Sequence, residues 1–195
     1  MSKPSWRSKS GTALIIALAA LGVAYPFFVY FSRDIISPRG FIAAALILLA
    51  LRLIAAKSEI ARFWRVPLLV AGLLLLIASI LDSAFAVSAY PALMSLVAAS
   101  VFGWSLYCPP SLIERIAVLT DGELSPSGQL YCRKVTVLWL VWLVANAMIA
   151  IGLSIWGSLA TWTLWTGLIS YLITGALFVG EIGFRHLLKW RRQQS

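Results

Sequence analysis

Apolar residues run almost unbroken through this chain, and the breaks between them divide it into segments of membrane-crossing length. The first run covers 12–31, a turn of sequence SRDIISPRG follows, and a second run covers 41–56. The segment AKSEIARFWRVP leads to a third run over 66–81, and Asp82 and Ser83 interrupt it before a fourth over 84–107. A long polar stretch, 108–134, precedes two further runs over 135–155 and 162–180, joined by WGSLAT. A hydrocarbon core of roughly 30 Å takes about 20 residues of helix, and these runs lack the short alternation of a barrel strand. The pattern predicts an all-α fold: a single-domain polytopic transmembrane bundle of about six spans, of which the second and third are a little short.

Composition narrows the class. Of 195 residues, 61% are hydrophobic and only 12% charged, about half the charged share of a soluble domain. The first run exceeds the roughly 7–15 apolar residues of a signal-peptide core, and no small-x-small cleavage site follows it, so a retained helix is expected. In such a chain a net charge of +9 serves topology and contact with anionic lipid, and no nucleic-acid partner is expected.

The cations are distributed unevenly. Lys3, Arg7, Lys9, Arg52, Lys57, Arg62, Arg65, Arg115, Arg133, Lys134, Arg185, Lys189, Arg191 and Arg192 fall on one side of a six-span layout, and only Arg33 and Arg39 on the other. The positive-inside rule then places both termini and the 108–134 segment in the cytoplasm. Aromatics fit interfacial belts, with Tyr25, Tyr30, Tyr90, Trp156 and Trp162 toward the outer face and Trp64, Trp104, Tyr107, Tyr131 and Trp190 toward the inner. The halves share no motif, so an internal repeat is not expected.

The polar stretch holds Glu114, Asp121 and Glu123, three of the seven acidic residues. Pro109 and Pro110 end the fourth span, because proline lacks a backbone donor and clashes with the preceding turn. Ser111 and Glu114 have capping-box spacing, which predicts a short helix over 112–119. Its Leu112, Ile113, Ile116 and Leu119 can lie among headgroups while Glu114 and Arg115 face water. That helix is either purely structural or a surface where Glu114 or Arg115 binds a headgroup or a partner enzyme.

Two spans carry polar stripes. In the sixth, Thr163, Thr166, Ser170 and Thr174 recur at i, i+3, i+7 and i+11, continuing toward Glu181 and Arg185. Hydroxyls gain nothing from facing lipid, so this face must meet other helices or a wet groove. In the fifth, Thr136, Trp139, Leu143 and Asn146 share a stripe, and Asn146 falls near mid-membrane, where its amide needs a partner. Ser170 or Tyr171 is the expected one. The two stripes can be ordinary helix packing or the walls of a polar groove.

Other chemistry is sparse. Cys108 and Cys132 lie on the cytoplasmic side, where thiols stay reduced, and match no zinc spacing. His186 is the only histidine, so no metal site, cofactor or Ser-His-Asp arrangement is expected.

Several short motifs carry a resemblance: Pro109-Pro110-x-x-Ile113-Glu114-Arg115, Tyr131-x-Arg133-x-Val135-Thr136-x-x-Trp139, Asn146, Trp162 and Trp165 with Tyr171, and Glu181-x-x-x-Arg185. In these the chain resembles an uncharacterised family of bacterial inner-membrane proteins associated with gene clusters for aryl polyene or xanthomonadin-type pigments. The resemblance covers roughly residues 90–186; the first ninety match only as generic apolar helices. It implies a compartment, the inner membrane, and a pathway of lipid-linked polyenes, but no established activity.

The expectation is a non-enzymatic accessory in assembly or handling of such a lipid. Glu114, Arg115 and Arg133 would form a cytoplasmic face for an acyl carrier, acyltransferase or synthase, and Asn146, Glu181 and Arg185 would line or gate the groove. One alternative is a small lipid or metabolite transporter, working as an oligomer because one bundle is a modest translocation path; Arg52, Asp82 and Glu181 lie near span ends and give it little intramembrane charge. The other is a membrane-embedded acyl or glycosyl transferase using Glu114, Asp121 or Glu123, which a mobile loop would hold loosely.

Overall fold

The computed structural model describes residues 9–55 and 59–193, and among these it contains helices and no strand. The basic segment 1–8 and Lys57 lie outside the described residues, as do the side chains of Lys9, Arg62, Asp121, His186, Lys189, Trp190, Arg191 and Arg192. The helices are α1 (Lys9–Ser32), α2 (Pro38–Ala55), α3 (Glu59–Leu81), α4 (Ser83–Tyr107), α5 (Leu112–Asp121), α6 (Pro126–Trp156), α7 (Leu159–Leu164) and α8 (Ser170–Gln193), with a π turn, Trp165–Ile169, between the last two.

Short capping side chains cut the apolar chain into these pieces. Asp82 Oδ1 accepts from the amides of Ala84 and Phe85 at 2.9 and 3.1 Å, starting α4 directly after α3. Ser125 accepts from the Gly128 amide at 3.3 Å, with Pro126 in the first turn of α6. Ser158 accepts from the Thr161 amide at 3.1 Å to begin α7. Each cap satisfies a donor that a helix start otherwise leaves orphaned.

Four described helical stretches are long and apolar enough to cross a membrane: Trp64–Leu81, Ser83–Tyr107, Pro126–Trp156 and Leu159–Arg185. The chain is thus an all-helical membrane protein in outline. Half of the α4 stretch is buried, against 17%, 22% and 11% of the other three, so α4 is the axis of the bundle. It packs along α6 on one side and α3 on the other, with α1 and α2 closing around it.

The polar stretch 108–134 is more ordered than a mobile loop. Its first part is α5, which packs on α6 and α4, and from Pro126 onward it already belongs to α6. The sixth run also differs from a single helix over 162–180: it starts at Leu159, passes through the π turn, and continues as helix through the basic tail to Gln193.

The aromatic belts need correcting. Tyr30, Trp156, Trp104 and Tyr107 are exposed as expected, but Tyr25, Tyr90 and Trp162 are among the most buried residues in the protein. They join Leu49, Leu75 and Ala86 in the core. The Tyr25 hydroxyl and the Trp162 indole are useful there because α4 has carbonyls to offer. Pro91 cannot donate to Val87, four residues earlier, and the Tyr25 phenol donates to that carbonyl at 3.1 Å. The next carbonyl, Ser88, accepts both the Trp162 indole at 3.1 Å and the Ser154 hydroxyl at 3.3 Å.

Candidate functional site

A half-open cavity of about 260 Å³, mainly apolar in lining but with a cluster of polar groups, lies among the helices, and every long helix contributes to it. From α4 come Tyr90, Pro91 and Ser95, from α6 Asn146, and from the π turn and α8 Thr166, Ser170, Tyr171 and Thr174. Gly22 of α1, Arg52 of α2 and Trp64 of α3 complete it. These positions lie near the middle of α4 and α6, within stretches whose outward faces are apolar.

Asn146 joins three elements at this level. Its Nδ2 donates to Ser95 Oγ of α4 at 2.9 Å, and its Oδ1 accepts from the Trp165 indole of the π turn at 3.0 Å. The expected partners, Ser170 and Tyr171, are not the ones used: the π turn rotates the wall so that Trp165 reaches the amide first. The hydroxyl stripe itself is tied to its own backbone. Thr166 donates to the Trp162 carbonyl at 2.7 Å, Ser170 to Thr166 at 3.4 Å and Thr174 to Ser170 at 2.7 Å. Such back-bonding frees side-chain oxygens to accept, and Thr174 accepts from the Trp142 indole of α6 at 3.0 Å.

The π turn places this wall. The Ser170 amide bonds to the Trp165 carbonyl, five residues back, which adds a residue to the turn, a feature common at functional sites. Gly167 sits at its centre because a Cβ there would lie 2.7 Å from the Phe27 ring of α1. Beyond this turn, among the described residues, the backbones of α8 and α6 do not run in close contact. Large side chains bridge the gap instead: Trp142 to Thr174, and Tyr131 stacked on Phe184 with ring centroids 5.9 Å apart. Below the cavity, α6 and α8 thus meet through these large side chains.

Arg52 and Tyr90 set the electrostatics. Arg52 is in the last turn of α2, but helical side chains lean back toward the helix start. Its guanidinium consequently lies against Gly22, midway along α1. The position matches a gap in α1: Pro26 leaves the Gly22 carbonyl without its helical donor. Arg52 thus carries charge into the bundle, where its sequence position near the end of the second span had placed it among the topological cations. The Tyr90 phenol oxygen is buried and, among the described residues, has no hydrogen-bond partner, an arrangement that costs about 1–3 kcal/mol if nothing else occupies it.

The residues expected from sequence are brought together only in part. Asn146 is in the cavity. Glu181 and Arg185 are not; they lie about 16 Å and more down α8 from Ser170, near Tyr131 of α6. Glu114 is half-buried and accepts from the Ser111 amide at 3.2 Å, the carboxylate half of the capping box. Arg115 turns back on its own chain, donating from Nε to the Pro110 carbonyl at 2.8 Å and from its terminal nitrogen to Cys108 at 3.2 Å. Arg133 is exposed on the first turns of α6. Cys108 and Cys132 are free thiols, and among the described residues no group of three or more His, Cys, Asp and Glu gathers.

Arg52, Tyr90, Ser95 and Trp165 are the members of the site that sequence reading had assigned elsewhere or passed over. The available signal was the prolines. Pro26 and Pro91 each sit within an apolar run and each strips a carbonyl of its donor, so inward-facing donors from other helices were required. Comparison with protein-family models, with curated proteins and with solved structures found no match.

Proposed function

We propose that this chain is a six-span protein of a bacterial inner membrane, with both termini in the cytoplasm, that handles a polyene-type lipid without catalysing its chemistry. The observation that carries the reading is the cavity: a pocket lined by Arg52, several hydroxyls and apolar side chains, set among helices whose outer faces are apolar. Polar groups held at this depth are costly and mark binding sites or transport paths. The helices α1 and α2, of 24 and 18 residues, supply the first two spans, and the strong bias of Lys and Arg sets the orientation. The exposed Arg133 beside α5 offers a docking surface for an acyl carrier, acyltransferase or synthase.

The test is deletion of the gene in its native host, followed by membrane fractionation and extraction of polyene-type lipids. Loss or mislocation of the product is the expected result; unchanged product in both membranes removes the reading.

A small lipid transporter is the second reading, and Arg52 favours it, since an ionisable side chain inside the bundle is what such a mechanism uses. Product retained in the inner membrane of the deletion strain distinguishes it from a role in synthesis.

A further inference from the structure

The cavity has a definite ligand chemistry. Among the described residues its cationic lining group is Arg52, and a guanidinium stays charged and presents five donors in a fixed fork that matches carboxylate and phosphate oxygens. Arg52 engages neighbours already, and that number of donors lets it hold an anion beside them. Tyr90 adds a second donor, a buried phenol whose oxygen makes no hydrogen bond among the described residues and which lines the same space.

Size and shape restrict the occupant further. At about 260 Å³ the cavity is below the roughly 300–1,000 Å³ that encloses a whole small molecule. It suits the head of a larger molecule whose remainder lies elsewhere. Met94, Ala98, Leu143 and Ala150 supply apolar lining next to the polar groups, which suits the first carbons of a chain attached to such a head.

We propose that this cavity binds the anionic head, carboxylate or phosphate, of an amphiphile. Arg52 pairs with the anion and Tyr90 donates its phenol hydrogen to it. Asn146 stands beside the head, its orientation fixed by Ser95 and Trp165. This deepens the lipid-handling reading, on which it rests, by naming the head chemistry and the residues that recognise it.

The experiment uses the full-length protein in dodecyl maltoside micelles, titrated with oleoyl lysophosphatidic acid, oleoyl lysophosphatidylcholine and inorganic phosphate. Bound-lipid mass and unfolding temperature are the readouts. Lysophosphatidic acid is expected to bind about tenfold tighter than lysophosphatidylcholine, and Arg52→Gln to remove about that factor. Tyr90→Phe is expected to weaken binding about three- to tenfold while leaving the unfolding temperature of the lipid-free protein no lower than before, because the hydroxyl has no hydrogen-bond partner among the described residues. Equal binding of the two lysolipids, or unchanged affinity in Tyr90→Phe and Arg52→Gln alike, overturns the proposal; if Arg52→Gln does not fold, Tyr90→Phe decides. Inorganic phosphate binding as tightly as the lysolipid overturns the lipid source and assigns the site to a soluble anion. Lysolipid binding alongside unchanged pigment in the deletion strain keeps the site and removes the polyene reading, and the opposite pair of results does the reverse.

Discussion

The Tyr25 phenol of α1 donates to the Val87 carbonyl of α4 at 3.1 Å, the carbonyl that Pro91 leaves without a helical donor. The bond spans two helices and substitutes for one that α4 cannot make. Tyr25→Phe should cost about 0.5–1.5 kcal/mol, measured by denaturant unfolding in mild detergent. In a Pro91→Ala background the helix regains its own donor, and the same substitution should then cost close to nothing. An undiminished cost in the double-mutant cycle removes the compensation argument.

Asn146 has both ends of its amide engaged, by Ser95 and by Trp165. Asn146→Leu leaves a buried hydroxyl and a buried indole N–H to find other partners, and a loss of about 1–2 kcal/mol is expected. Trp165 fluorescence should report the change. Stability equal to wild type would mean that the three elements are held by packing alone.

Gly167 permits the approach of Phe27 to the π turn, where a Cβ would lie 2.7 Å from the ring. Gly167→Ala should destabilise the bundle by about 1–3 kcal/mol, and Phe27→Ala in the same chain should recover part of that. Recovery separates this contact from any intrinsic effect of alanine on the turn.

Gly22 offers a way to move Arg52 without replacing it. A methyl group there meets the guanidinium directly, so Gly22→Ala should displace the charge from the cavity and weaken lysophosphatidic acid binding by about tenfold. Lysophosphatidylcholine binding should stay where it was, and an equal loss for both lysolipids would indicate general disruption.

Arg115 and Arg133 should behave differently even though both lie near α5. Arg115→Ala strips two carbonyls of their donor and should raise amide hydrogen exchange throughout α5. Arg133→Glu, on an exposed position, should change stability by no more than about 0.5 kcal/mol. A fall in pigment output in Arg133→Glu at normal protein level then reports docking of a partner.

The helical fold was legible because apolar length is a strong signal and a capping box such as Ser111 with Glu114 is local. Asn146 was legible too, as a lone amide in an apolar run, although its partners were not. Those depended on the π turn, which no local pattern marks, and which brings Trp165 ahead of Ser170. Arg52 was misread because linear position puts it near a span end, whereas the long side chain leans back along α2 to Gly22. Tyr90 and Trp162 resembled belt aromatics in sequence. Trp162 is drawn in by the Ser88 carbonyl of α4 and Tyr90 by packing against Tyr25 of α1, and both relations are tertiary.

The position of Asn146 on α6 has a consequence for the fold. From Asn146 to Trp156, where the helix ends, the rise is about 15 Å, so the bonds to Ser95 and Trp165 lie about three turns inside the helix. Fraying that starts at the helix end reaches them last, and the junction of the three elements outlasts any loosening of the turn that joins α6 to α7.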